Sequence, residues 1–364
     1  MKNILRILSI LACTLYSCEE PTFDNAIAGT VSVPLQELAK TELTGSSFGP
    51  TDYFIKPNKI ELVHDSILLV TERGKGKAVH FLNIRTQEVF QTYGTIGEGP
   101  GEMDAIVLTM HSDPKNNTID LMEPARKRLA TYSIDSMLSG STTYFPTFTV
   151  SPPEIGSPIG MTKIDTENAI IDASFPCARL LKWNATIDEV ECSPEIIPIP
   201  DEIESAMRGS VAYEVMVVRP DRSLIATASY RFNRIDIYDM NLAHQLAITG
   251  KQYHNPFDHC QIVEGRTMCD RNKMEKFASA AIYASQDYLY VSRLEPLTRN
   301  PKDIFDNRVV LLVFDWEGNS IARLALDRFI YSFTVDEKNN RLYAVDEQEV
   351  NQMIIEYILP DFEA

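Results

Sequence analysis

Six times along the chain, a short apolar run carrying an aromatic residue follows an acidic or amide-bearing tight turn. The aromatics are Phe81, Tyr132, Trp183, Tyr238, Phe314 and Tyr357, and the turns stand at Asp65, Asp113, Asp165, Asp221, Asp287 and Asp336. A period of about 45–50 residues with several strands per unit is the pattern of a β-propeller, in which four-stranded sheets surround a channel. In the first repeat KIELVHD turns at Asp65-Ser66 into ILLVTER, then AVHFLNI and VFQTYG follow. Apolar and polar residues alternate along these runs, as in sheets packed face to face. The expectation is an all-β, six-bladed β-propeller.

The blades are expected at about 53–98, 105–150, 159–200, 212–250, 278–328 and 329–360 within a propeller of 31–364. The last repeat ends after three strands, so it needs a fourth from elsewhere. The segment VSVPL, Val31 to Leu35, is the expected donor, and the ring is closed by this N-terminal strand. Closure of this kind removes a sheet edge that would invite aggregation. The repeated aspartates read as acceptors for the amides of their own turns rather than as a ring of metal ligands. The aromatics read as core between blades.

Ahead of the propeller, Lys2 and Arg6 precede an apolar stretch, Ile4 to Leu15, too short to span a bilayer as a permanent helix. The run Leu15-Tyr16-Ser17-Cys18 resembles the lipobox of bacterial lipoproteins. That resemblance implies a signal peptide over 1–17, lipidation of Cys18 and a tether over 18–30; an ordinary secretory signal cleaved near Ser17 is the other reading. Glu19 and Glu20 resemble a surface-export signal of Gram-negative lipoproteins. The expected location is the outer membrane, on its outer face, with the periplasmic face as the alternative. Two or more acyl chains anchor durably, since each buried methylene contributes roughly 0.8 kcal/mol.

After Cys13 and Cys18, the cysteines left are Cys177, Cys192, Cys260 and Cys269. An even number in an oxidising compartment permits disulfides. Cys177 and Cys192 flank a hairpin near Asn184-Ala185, and Cys260 and Cys269 share one loop. No CxxC spacing occurs, so zinc is not expected, and no metal or cofactor is assigned. The net charge of −17 argues against nonspecific nucleic-acid binding, which needs a basic face to displace counterions. A monomer is expected.

The run Gly94-Thr95-Ile96-Gly97-Glu98-Gly99-Pro100-Gly101-Glu102-Met103 follows the first repeat. With the lipobox and the six-fold repeat, it resembles the TolB-like, NHL-related six-bladed propeller lipoproteins of Gram-negative bacteria. That resemblance implies an exported propeller and carries no defined activity. Taken on its own chemistry, the glycine run lacks the lysine and following helix of a phosphate loop and reads as a crossover between blades.

Propellers bind ligands at the channel mouth. The loops expected there carry Arg73, Arg126, Arg179, Tyr230, Arg231, Arg234, Arg293 and Asp346, with Glu72, Glu123 and Glu295 interspersed and Phe232 beside Tyr230 for stacking. This concentration of arginine points to an anionic, glycan or peptide ligand, or to a protein partner; solvated, mutually paired loops are the plain alternative. His254 and His259 in the long connection lack the spacing of a helical metal pair. No serine sits in a GxSxG context and no catalytic residue is assigned. A noncatalytic binding module is therefore favoured. The competing class is a metal-dependent hydrolase or lyase of the propeller lactonase type, which needs acids and amides such as Glu72, Asn83, Asp346 and Glu347 around a divalent cation.

Overall fold

Runs such as ILLVTE and RIDIYD combine β-branched and aromatic residues with tight turns at each end, so they pair as antiparallel strands rather than coil. The computed structural model describes residues 31–34, 38–74, 76–99, 101–141, 144–152, 155–156, 158–173, 179–194, 203, 214–230, 234–249, 256–264, 266–270, 281–296, 307–346, 348 and 353–362. Three short strands come first: β1 (Val31–Pro34), β2 (Thr41–Leu43) and β3 (Ser46–Ser47). Blade 1 follows with β4 (Pro57–Val63), β5 (Ile67–Glu72), β6 (Lys77–Asn83) and β7 (Val89–Thr95). Blade 2 holds β8 (Met110–Asp113), β9 (Thr118–Glu123), β10 (Arg128–Ser133) and β11 (Thr147–Val150). Blade 3 holds β12 (Pro158–Lys163), β13 (Asn168–Ala173), β14 (Leu180–Asn184) and β15 (Glu189–Cys192).

Blade 4 is built from β16 (Glu214–Val218), β17 (Leu224–Ser229), β18 (Arg234–Asp239) and β19 (His244–Thr249). A separate hairpin, β20 (Cys260–Val263) and β21 (Arg266–Cys269), precedes blade 5, which holds β22 (Ile282–Ala284), β23 (Tyr288–Pro296), β24 (Asn307–Asp315) and β25 (Ser320–Leu326). Blade 6 contributes β26 (Ile330–Asp336), β27 (Arg341–Asp346) and β28 (Ile354–Ile358). The first strand of each blade is innermost, and β26 returns beside β4 to complete the circle. The chain is an all-β, six-bladed propeller.

The N-terminal segment completes the last blade, but through other residues than VSVPL. Ser46 and Ser47 pair antiparallel with Glu356 and Ile355 of β28. Val31–Pro34 instead adds in parallel to β19 on the outer edge of blade 4, and Thr41–Leu43 adds in parallel to β25 of blade 5. The physical reason lies at Gly45, where a Cβ would overlap the side chains of Ile355 and Tyr357. Only a residue without a side chain lets the backbone come this close to β28. Phe48 then plugs the junction of blades 6 and 1, buried against Tyr343 with ring centroids 4.9 Å apart. Closure was therefore coded by a glycine followed by small residues, and the apolar strand went to another edge.

Apolar clusters fill the wedges between neighbouring blades. All six repeat aromatics lie in them, with Phe81, Tyr238, Phe314 and Tyr357 at 0% exposure. Each lies in the third strand of its blade, where a large ring spans the gap to the next sheet, and fully burying such a side chain contributes about 1.5–3 kcal/mol. The turn aspartates act locally: Asp165 accepts from the amides of Glu167 and Asn168 at 2.8 Å, and Asp113 and Asp336 accept from Asn116 and Asn339 at 3.1 Å. Asp221 does the same with Ser223.

The glycine run is a self-braced crossover. Gly97 N–H donates to Met103 O at 3.1 Å and Gly99 N–H to the Glu102 carboxylate at 2.7 Å. A Cβ at Gly97 would occupy the place of that carboxylate, which explains the glycine. Among the described residues no helix is long and apolar enough to cross a membrane.

Candidate functional site

The arginine-bearing loops were expected to form one open rim. The structure draws most of their described side chains into internal contacts. Arg126 donates to Gly97 O at 2.6 Å and to Glu102 O at 2.5 Å, tying down the glycine crossover. Arg73 donates to Asn58 Oδ1 at 2.8 Å and stacks 4.5 Å over the Tyr331 ring. Arg293 and Arg323 donate to Glu295 Oε1 at 2.5 and 2.6 Å, and Lys40 joins the same carboxylate. Asp346 is buried and accepts from Gln348 N–H at 2.9 Å.

Arg179 and Arg234 are both 5% exposed and sit inside a buried ionic network between blades 3 and 4. Arg179 forks onto Glu214, with Nε to Oε1 at 2.9 Å, and reaches Asp236 at 2.8 Å and Thr227 at 3.2 Å. Arg234 Nε donates to Asp236 at 2.8 Å, and His244 Nε2 lies 2.7 Å from the same carboxylate. Burial pushes Asp236 up, but the guanidinium groups of Arg179 and Arg234 outweigh it and hold its pKa far below the usual range. Tyr230 is half-buried at the end of blade 4's second strand. Arg231, Phe232, Glu347, His254, Cys18 and Cys177 lie outside the described residues. Cys260 and Cys269 are disulfide-bonded across their hairpin, and Cys192 is also in a disulfide.

A cavity of about 610 Å³ occupies the channel at the other end of the strands, where the first strand of each blade turns into the second. The innermost strands of blades 1, 2, 4, 5 and 6 line it. Blade 3 is withdrawn from this lining among the described residues, and Gly160 explains why. A Cβ on Gly160 would touch both Met216 of blade 4 and Thr109 of blade 2, so those two blades approach each other across it. Arg222 braces the same junction by donating to Lys163 O at 2.6 Å and pairing with Asp113 at 3.1 Å.

Polar and apolar groups share this wall. Glu61 of β4 is 8% exposed and accepts from Ser112 Oγ of β8 at 2.7 Å. Burial raises its pKa to about 7 against the lowering effect of that hydrogen bond. On β8, His111 is driven down to about 4 by burial, with the charges of Arg222 and Lys59 adding to it, so its imidazole is neutral. His111 Nε2 and Thr109 Oγ1 are buried without a hydrogen-bond partner. Across the channel, Tyr283 of β22 donates to Val335 O at 3.3 Å, and burial together with the Glu61 charge raises its pKa. Val217, Ile282 and Phe333 supply apolar wall.

A buried carboxyl, neutral imidazole and hydroxyls beside apolar side chains in one cavity are a make-up found in small-molecule sites. Sequence reasoning passed over Glu61, His111 and Ser112 because it looked to charged loops. The available signal was a polar residue set within the first strand of a repeat, as in KIELV and TMHSD, where the strand borders the channel. Among the described residues no group of three or more His, Cys, Asp or Glu side chains is placed to hold a metal ion.

Residues 178–338 match a family model described as TolB-like 6-blade propeller-like. A Bacteroides fragilis protein described as a candidate exported protein is similar in structure, with TM-score 0.55 and 10% identity over 90% of this chain and 98% of that one. A member of the DUF4221 family from Bacteroides vulgatus superposes with TM-score 0.52 and 10% identity over 89% of this chain and 97% of its own. At such identities the likeness is one of fold. No curated protein matches the chain in sequence.

Proposed function

We propose that this protein is an exported, noncatalytic binding propeller that holds a small molecule in its central channel. The observation that carries this reading is the cavity of about 610 Å³ with Glu61 buried in its wall. That volume falls within the range of about 300–1,000 Å³ usual for ligand pockets. The leader supports export, and the lipobox-like Leu15-Tyr16-Ser17-Cys18 supports anchoring through Cys18. The arginine face favours an anionic, glycan or peptide ligand less, because its described guanidinium groups are engaged within the protein. The lactonase-type alternative finds no metal-ligand set among the described residues.

Thermal-shift screening of a metabolite library against the protein and an Ala284→Trp variant tests the channel. Ala284 lines the cavity, and an indole there takes up part of its volume and narrows it. Ligands that stabilise the parent and lose that effect in the variant support the proposal; hits unaffected by the plug place binding elsewhere and overturn it. Labelling with an alkynyl fatty acid tests the anchor, with incorporation expected for the parent and none for Cys18→Ala.

A further inference from the structure

We propose that Glu61 is the receptor for a cationic nitrogen, and that the channel ligand is a small amine with an apolar body. The inference rests on the channel reading above and adds the class of ligand. Among the described residues Glu61 has no cation within ion-pair distance, and its hydrogen bonds come from Ser112 alone. Glu72, Asp172 and Asp336 also lack an ion pair there, but Glu72 accepts from the amides of Ile55 and Lys56, Asp336 accepts from Asn339, and Asp172 does not line the cavity. Glu123 is paired with Arg128, Glu214 with Arg179, and Asp236 with Arg179 and Arg234. Burying a carboxylate without a partner is costly, so such a group either takes up a proton or waits for a countercharge. Ser112 occupies one oxygen, Oε1, and Glu61 lines the cavity.

The surroundings suit an amine. Val217, Ile282 and Phe333 offer an apolar surface to the body of the ligand, and the buried Thr109 Oγ1 and His111 Nε2 stand ready to accept further N–H donors. Neutral His111 adds no repelling charge. At the turns around the opening stand Asp65, Asp336 and Glu337, set against His64 and Lys338, and Lys59 of β4 lines the wall above the Tyr331 ring. The chain's net charge of −17 draws cations toward any such opening. An anionic group would instead meet the Glu61 carboxyl, with Lys59 as the cation in the same strand.

Three ligands of one shape separate the alternatives: 4-phenylbutylamine, 4-phenylbutanol and 4-phenylbutyrate, titrated calorimetrically into the mature protein and into Glu61→Gln. The amine is expected to bind at least about tenfold more tightly than the alcohol, and Glu61→Gln to erase that preference while leaving the alcohol's affinity in place. In the unsubstituted protein, amine affinity rises as pH increases through about 7 and then levels, because ionised Glu61 is the form that binds. Around that pH binding releases a proton, which buffers of different ionisation enthalpy detect even if the variant fails to fold. Equal affinities for the amine and the alcohol, with no proton release, overturn the amine assignment and leave the channel as a site. Preferred binding of the carboxylate overturns it in favour of an anion. Binding of none of the three overturns the amine assignment, while the thermal-shift screen with Ala284→Trp decides the channel reading.

Discussion

Replacing Arg179 with methionine tests the buried network between blades 3 and 4. The substitution keeps an unbranched apolar stem and removes four hydrogen bonds, two to Glu214 and one each to Asp236 and Thr227. Asp236 retains Arg234 and His244, but Glu214, at 0% exposure, is left without a cation. Breaking a buried pair by deleting one partner costs about 3–5 kcal/mol, most of it the penalty of the stranded charge. Burial already raises the Glu214 pKa against the pull of Arg179, so in the variant the folded carboxyl titrates higher still. Its penalty therefore grows as pH rises from the unfolded value of 4.5 toward the raised folded value, and is relieved as pH falls and the group protonates. Urea unfolding followed by tryptophan fluorescence measures this at pH 8 and pH 5. The gap between variant and parent is expected to narrow at the lower pH. Adding Glu214→Leu removes the stranded charge, and the double variant is expected to recover at least about 2 kcal/mol. A loss below about 1 kcal/mol for Arg179→Met, or a double variant no better than the single one, would refute the argument that the charge left behind dominates.

Three further outcomes follow from the same geometry. A truncation removing residues up to Leu35 leaves blade 6 its partner strand and is expected to melt cooperatively, whereas one extending through Ser47 bares β28 and removes the segment leading to Phe48; size-exclusion chromatography should show aggregation only for the longer deletion. Burial raises the pKa of Glu295, yet hydrogen bonds from Lys40, Arg293 and Arg323 bring it to about 2; its contribution is thus present above the unfolded value of 4.5 and lost as pH falls toward about 2, and Glu295→Gln should flatten the stability profile in that window. Cys260 and Cys269 are nine residues apart and close a hairpin whose strands pair only with each other, so the loop entropy of about 3 kcal/mol acts on that hairpin; the double serine variant should raise hydrogen exchange over 256–270 while the ring's unfolding midpoint stays in place.

The fold was legible because its signals are local and repeated. Phe314 within LLVFD and Tyr238 within IDIYD announce third strands, and Asp165 with Asn168 announces a turn, without reference to distant residues. Closure was legible as a need but not in its residues. VSVPL has the better strand composition, yet the position beside Ile355 demanded the glycine of Thr44-Gly45-Ser46-Ser47, a requirement set by a side chain some three hundred residues away in sequence. The arginines misled for a related reason. Their charge is written in the sequence, but Glu214 and Asp236, which absorb the charge of Arg179, lie 35 and 57 residues further on.

By itself the sequence determined that the chain would form six repeats of antiparallel sheet with an aromatic wedge in each, because strand pairing and turn chemistry act over a few residues. Tertiary structure decided which charges meet and which stand alone. Circular packing brings Arg179 to Glu214 and Asp236, and it leaves Glu61 facing a cavity with Ser112 as its hydrogen-bond partner. Burial and pairing depend on what the neighbouring blade presents, and that neighbour is fixed only when the ring closes.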